Sequence, residues 1–186
     1  MNTEYTTDRL VLKVLSQKDA GAVLDFYKRN ADYLEPFEPE RAENFFTEDF
    51  HRANLSAEYN AFIKFSYLRF WIYEKENQDC PVGTVCYNDF HNGYFQKCSV
   101  GYKIDHGHIC RGYATEALRY TLQLIYEEYR MHRVEALTLP DNGASIHVLE
   151  KLGFQKEGYL RDAARINGEW RDHNLYALIF DSSYTQ

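Results

Sequence analysis

The chain has 186 residues, 45% of them hydrophobic, with 21 Lys and Arg against 28 Asp and Glu and a formal net charge of −7. That length and apolar content suit one globular domain spanning residues 1–186, and the negative balance argues against a nucleic-acid partner. No run reaches the roughly 20 apolar residues a membrane helix needs, and Met1-Asn2-Thr3-Glu4-Tyr5 opens no signal peptide, so a cytoplasmic protein without membrane attachment is expected.

In chain order, residues 7–14 alternate apolar and polar and predict a strand. Ser16 with Asp19 three residues later opens a helix whose apolar residues are Ala22, Leu24, Phe26 and Tyr27. Pro36 and Pro39 then interrupt regular structure, inside a stretch, residues 32–49, that holds seven acids against the single base Arg41. Such a run is either a solvated face or a surface that attracts a cation. A second helix is predicted from about residue 47 to 65 on Phe50, Leu55, Tyr59, Phe62 and Ile63. The period then changes to strands at 67–75, 82–90 and 97–104. From Gly112 a helical stripe of Ala114, Ala117, Leu118, Thr121, Leu122, Ile125 and Tyr129 runs to about Arg130. A strand at 134–139 stops at Pro140, and a helix is predicted over 142–152. Strands at 154–161 and 170–180 close the chain around the Asn167-Gly168 hairpin signal. The order is that of an α+β domain around one mixed sheet.

The four cysteines (Cys80, Cys86, Cys98 and Cys110) have no C-x-x-C spacing, and His106-x-His108 lacks companions to complete a ligand set, so neither a disulfide framework nor a metal is expected.

Two stretches carry chemistry. In the first, a strand ending Gly101-Tyr102-Lys103-Ile104 passes through a short polar loop into Arg111-Gly112-Tyr113-Ala114-Thr115-Glu116-Ala117-Leu118. A helix N-terminus there presents unpaired N–H groups and a favourable dipole to an anion, with Gly112 and Ala114 small enough for close approach and Arg111 adding charge. In the second, Asn142-Gly143-Ala144-Ser145 begins a helix with apolar Ile146, Leu149 and Leu152. Gly153-Phe154 ends it, and Glu157-Gly158-Tyr159-Leu160-Arg161 comes shortly after.

Together these stretches resemble motifs A and B of the Gcn5-related N-acetyltransferases. The Ser after Asn, the E-G-x-L-R-D run and the late I-N-G-x-W-x-D run look most like the branch that acetylates ribosomal-protein N-termini. The resemblance implies a mixed, splayed sheet flanked by helices, and acetyl-CoA as cosubstrate. It puts the pyrophosphate at Ile109, Cys110, Arg111, Gly112, Tyr113, Ala114 and Thr115. The pantetheine would lie along the backbone of Tyr102, Lys103 and Ile104, with Asn142 on its arm and Ser145 near the thioester sulfur, where its hydroxyl is either an acid or orienting donor for the sulfur or a simple helix cap. Two positions depart from the motif: Ile109 stands where a polar residue is common, and Cys110 replaces the usual first Gly.

Relatives carry a general-acid Tyr where this chain has Leu149, and some carry a Glu where it has Leu137. An α-amine, with pKa about 7.7–8.0, is already neutral in roughly a tenth of molecules at pH 7, against about 0.04% for lysine, so an enzyme lacking a dedicated base suits an N-terminus best. Asp89 and Glu116 are alternatives for a base acting through water, each with a structural reading beside it. Asp162, Trp170 and Asp172 surround the last hairpin, which in the family edges the acceptor groove; Trp170, next to Gly168, reads as core or hairpin packing, with a groove wall as the alternative. Three functions stay open: acetylation of a protein N-terminus, acetylation of a small amine, and a non-catalytic acetyl-CoA-binding module. Monomer and homodimer remain equally open.

Overall fold

The computed structural model describes residues 2–180. Eight strands make one sheet: β1 (Glu4–Thr6), β2 (Leu10–Lys13), β3 (Leu68–Glu74), β4 (Gly83–His91), β5 (Lys97–Ile104), β6 (Arg133–Thr138), β7 (Gln155–Ile166) and β8 (Glu169–Ile179). They lie in the order β1-β2-β3-β4-β5-β6-β8-β7. Five helices flank it: α1 (Ala20–Arg29), α2 (Ala31–Leu34), α3 (Glu48–Ile63), α4 (Tyr113–Glu127) and α5 (Gly143–Lys151). This is the expected α+β architecture.

Sidedness comes from the pleat. Phe70, Val85 and Tyr102 are cross-strand neighbours on one face, and Trp71, Thr84 and Lys103 on the other. The first face packs with Leu118, Leu122 and Ile125 of α4 and Leu149 of α5 in one core that also takes in Ala136 and Tyr176. The second carries Trp71 and Tyr73, covered by Val23, Phe26 and Tyr27 of α1 and Leu55 of α3. β3 is apolar on both faces because helices lie on both.

Every neighbouring pair is antiparallel except β5 and β6. These two run parallel, joined through α4, and pair only over Lys97–Arg133, Cys98–Val134 and Ser99–Glu135. β5 continues to Ile104 and β6 to Thr138 without partnering each other, so the sheet opens toward their C-terminal ends.

Two predicted elements change. The strand expected over residues 7–14 is preceded by another, β1, because the chain turns between them. Thr7 N–H donates to the Leu10 carbonyl at 2.9 Å, and the Thr7 hydroxyl accepts Leu10 N–H at 3.0 Å. β7 runs on to Ile166, past two register shifts that hide its alternation. The Asn167-Gly168 turn is as predicted, with φ 44° and 82°, the left-handed pair of a tight hairpin. No helix among the described residues is long and apolar enough to cross a membrane.

Candidate active site

α4 begins at the open end of β5. Its N-cap, Gly112, sits at φ 78° and supplies no side-chain cap. α3 and α5, by contrast, are capped by the side chains of Thr47 and Asn142. The first N–H groups of α4 therefore face outward as a donor set for an anion. The loop before it is anchored by Asp105, which accepts from Arg29 Nε at 2.6 Å, Asn30 Nδ2 at 2.8 Å and Gly107 N–H at 2.9 Å, and pairs with His108 Nδ1. Burial pushes the Asp105 carboxyl up, but bonds from Asn30, His108, Arg29 and Gly107 outweigh it and hold it far below the usual carboxylate range. Ile109, Cys110, Arg111 and Gly112 are exposed along this turn. Cys110 has φ 60°, the conformation a glycine would adopt freely. Tyr113 hydrogen-bonds Glu74, and Thr115 is buried.

One cation here lies outside the motif. Arg9, in the turn just before β2, donates through Nη1 to the Arg111 carbonyl at 2.9 Å and through Nε to Glu116 at 2.7 Å, and lies 5.0 Å from the Tyr113 ring centroid. Two guanidiniums thus flank the turn. Each is also paired with a carboxylate, Arg9 with Glu116 and Arg111 with Glu74 at 3.3 Å, so what fits a pyrophosphate is first the open backbone donors behind the glycine cap, with the two guanidiniums as held hydrogen-bond donors beside them.

α5 begins differently, across the opening. Asn142 Oδ1 accepts Ser145 N–H at 3.1 Å, so the cap belongs to Asn142 and leaves the Ser145 hydroxyl for other work. That hydroxyl meets Tyr102 of β5: Tyr102 OH lies 2.8 Å from Ser145 Oγ and 3.0 Å from the Ser145 carbonyl. Leu149, at the position of the family's general-acid Tyr, is fully buried in the core, while Leu137 is half-exposed.

On the opposite face Lys103 meets the acidic stretch. Its ammonium pairs with Glu38, which also accepts from Arg41 Nη2 at 2.9 Å. Burial raises the Glu38 carboxyl, but Lys103 and Arg41 bring it below its ordinary value. Burial lowers the Lys103 ammonium, but Tyr27 and Glu38 turn the shift upward, so the pair is ionised. Asp32, Glu35, Glu40 and Glu43 stay exposed and form no ion pair among the described residues. The same segment reaches the last hairpin, where Asn167 N–H donates to the Glu38 carbonyl at 2.9 Å.

Beyond β6 an open cleft of about 340 Å³ is lined by Pro140, Asp141, Tyr159, Asp162, Trp170, Arg171 and Asp172, with Arg171 paired to Asp141 at 3.4 Å. Tyr159 OH and Asp162 N–H both donate to Asp172, at 2.6 and 2.8 Å. Those bonds hold the Asp172 carboxylate below its usual range and keep the cleft negative. Trp170 is 64% exposed, so it is a cleft wall rather than core packing.

The two alternative bases fall elsewhere. Asp89 is exposed, in a register break at the end of β4 where that strand meets the joined part of β5. Five residues beyond Thr84, it lies about 17 Å along the strand from the open half. Its φ of 51° suits the bulge. The structure does not bring it to Ser145. Glu116 accepts from Thr7 Oγ1 at 2.6 Å and from Arg9 N–H at 2.8 Å, locking the β1–β2 turn onto α4. Burial raises its carboxyl, but Thr7 and Arg9 hold it low, as befits an anchor.

The splayed β5–β6 pair, the uncapped α4 and the Asn142-led α5 are the frame of an acetyltransferase. A sequence model described as Acetyltransferase (GNAT) domain matches residues 9–155, and the chain belongs to that family. It is an N-acetyltransferase. It is 32% identical over 173 residues to the ribosomal protein uS5-alanine N-acetyltransferase of Escherichia coli, covering 93% of this chain and 89% of that one. Among solved structures, the ribosomal-protein-S5-alanine acetyltransferase of Vibrio fischeri superposes with a TM-score of 0.92 at 27% identity, covering 99% of this chain and 100% of that one. Mycobacterium smegmatis RimJ, solved in complex with CoA-disulfide, gives 0.85 at 26% identity over 91% of this chain and 81% of that one.

Proposed function

We propose that residues 1–186 form a single domain that transfers the acetyl group of acetyl-CoA to the N-terminal α-amine of a protein, of the class the uS5-alanine enzymes act on, through a ternary complex. The observation that carries the reading is the pair of helix termini at the open end of β5. The α4 N-terminus, with Arg111 and Arg9, suits the pyrophosphate. The edge of β5 left unpaired by β6 at Tyr102, Lys103 and Ile104 suits the amide-bearing pantetheine, with Asn142 on its arm and Ser145 at the sulfur.

The acceptor half is acidic. The exposed carboxylates of the 32–49 segment and the Asp141, Asp162 and Asp172 cleft favour a cationic chain over a neutral one. Lys103 and Glu38 neutralise each other, so neither is free to take the acceptor's proton. That fits an α-amine, roughly a tenth of which is already neutral at pH 7. The acceptor nitrogen attacks the thioester carbonyl, the C–N bond forms and the C–S bond breaks. The nitrogen loses the proton that the sulfur gains.

A peptide with a free N-terminal Ala or Ser and one internal Lys tests this. Mass spectrometry is expected to find acetylation at the terminus only, at a rate rising with pH and levelling near about pH 8, as the α-amine itself loses its proton. Modification mainly on lysine, or none on peptides beside rapid turnover of spermidine, overturns it. The second reading, acetylation of a small amine, draws on the same acidic segment, which the Asn167–Glu38 bond ties to the last hairpin.

A further inference from the structure

We propose that Tyr102 is a positioning residue for acetyl transfer: its hydroxyl holds the Ser145 side chain so that the serine's proton can turn to the departing sulfur. This rests on the reading of Ser145 as the sulfur-side donor.

Hydrogen counting at the pair is informative. Tyr102 and Ser145 have one hydroxyl hydrogen each, and the Ser145 carbonyl supplies a third oxygen, at 3.0 Å from Tyr102 OH against 2.8 Å for Ser145 Oγ. Two arrangements satisfy that triangle. In one, Tyr102 donates to the carbonyl and Ser145 donates to Tyr102, so both hydrogens are used internally. In the other, Tyr102 donates to Ser145 Oγ and the serine hydrogen points away. Changing between them moves the Tyr102 hydrogen between two acceptors at nearly equal distance and frees the serine hydrogen, for which the sulfur becomes the acceptor. The second arrangement is favoured once negative charge grows on a nearby sulfur, because a hydrogen bond to a charged acceptor is roughly twice as strong as a neutral one.

The capping pattern supports this division of labour. Serine in the first turn of a helix ordinarily bonds local backbone. Here Asn142 has taken the cap, and Ser145 Oγ is held instead by a residue 43 positions away on the strand bordering the opening. Both hydrogen bonds of the Tyr102 hydroxyl go to Ser145, and the Tyr102 backbone lies on the stretch of β5 that pairs with β4 but not with β6.

Tyr102 does not itself give up its proton. Burial pushes the phenol up to about 12, only partly offset by the Ser145 bond, whereas an ordinary thiol titrates at about 8.5. Full transfer from phenol to thiolate would be uphill by roughly three orders of magnitude. The proton the sulfur finally carries is the one the acceptor nitrogen loses. Tyr102 and Ser145 stabilise the charge in between, as an oxyanion hole does for oxygen.

The test uses Tyr102→Phe, which keeps the ring in place, with Ser145→Ala and the double variant. One arm needs no turnover. The thiol of bound coenzyme A is titrated by the ultraviolet absorbance of its thiolate, and it is expected to ionise about tenfold more readily than free thiol, with that gain lost in both single variants. In the kinetic arm, Ser145→Ala is expected to lower kcat about 10²-fold and Tyr102→Phe about 10-fold, with acceptor KM unchanged. The double variant should match Ser145→Ala alone, because the tyrosine acts only through the serine. A Tyr102→Phe enzyme with wild-type thiol titration and kcat, beside a crippled Ser145→Ala, overturns the Tyr102 proposal and leaves the sulfur-side serine standing. A double variant slower than Ser145→Ala also overturns it. An unaffected Ser145→Ala overturns both readings.

Discussion

The N-termini of α4 and α5 face the same opening in the sheet and are finished in opposite ways. α4 starts on Gly112, which has no side chain to offer, and its backbone donors are left for a partner. α5 starts on Asn142, whose amide oxygen closes the cap, and it offers a side chain, Ser145, already oriented by Tyr102. The difference matches the two ends of the cosubstrate they would meet. A multiply charged pyrophosphate is best met by several fixed dipoles, which need no side-chain ordering. A nearly neutral thioester that becomes charged only during reaction is better met by one hydroxyl whose proton can turn.

The sharpest way to break the comparison is to put charge at the α4 terminus. Gly112→Asp is expected to weaken acetyl-CoA binding by on the order of 100-fold in calorimetry, about 2.7 kcal/mol. Gly112→Asn, equally tolerant of the left-handed φ of 78°, should cost only a few-fold. Both should lose about 1 kcal/mol of folding stability for the same backbone reason. Equal affinities for the two variants would mean that the α4 donors do not hold the anion.

At α5 the expected effect is smaller and falls on folding. Asn142→Ala should lower stability by about 1 kcal/mol in thermal melts, and Asn142→Asp, an equally good cap, should lose no more than a few tenths. A harmless Asn142→Ala would show that α5 does not rely on its own cap. Smallest of all, Cys110→Gly relieves a left-handed side chain at φ 60° but frees the unfolded chain, for a net gain of about 0.5 kcal/mol with acetyl-CoA affinity retained. A loss of stability would mean that the Cys110 side chain contributes packing that outweighs its strained backbone.

Both helix termini are legible in the sequence because local rules mark them: Gly112 ahead of a 3.6-residue stripe, and Asn142 three residues before Ser145. The hairpin at Asn167-Gly168 is legible for the same reason. What stays hidden is made by contacts between distant residues. Nothing local says that Tyr102 points its hydroxyl at Ser145, or that Arg9 reaches a carbonyl 102 residues away. Glu38 sits in an acidic run whose local sequence offers it Arg41, but nothing there announces Lys103, which approaches from β5 and pairs with it in its buried place. Asp89 stands at a strand end, and the sequence does not say which end of the sheet that is. β1 merges with its neighbour in the sequence pattern because the turn between them is made by the Thr7 side chain, with no Gly or Pro to announce it.

The gap between β5 and β6 is cut into the main chain, while the core beneath it runs unbroken from Phe70 through Leu118 to Tyr176. Main-chain donors and acceptors along such a slot are indifferent to side-chain identity, and among natural substitutions only proline deletes one outright. The walls of the proposed acceptor side are the reverse: Glu38, Asp162, Trp170 and Asp172 would act through side chains that one base change in a gene can replace. The donor half of this transferase is thus robust to substitution and its acceptor half is open to it. The same framework can be retargeted to a new amine without disturbing how the acetyl group is delivered.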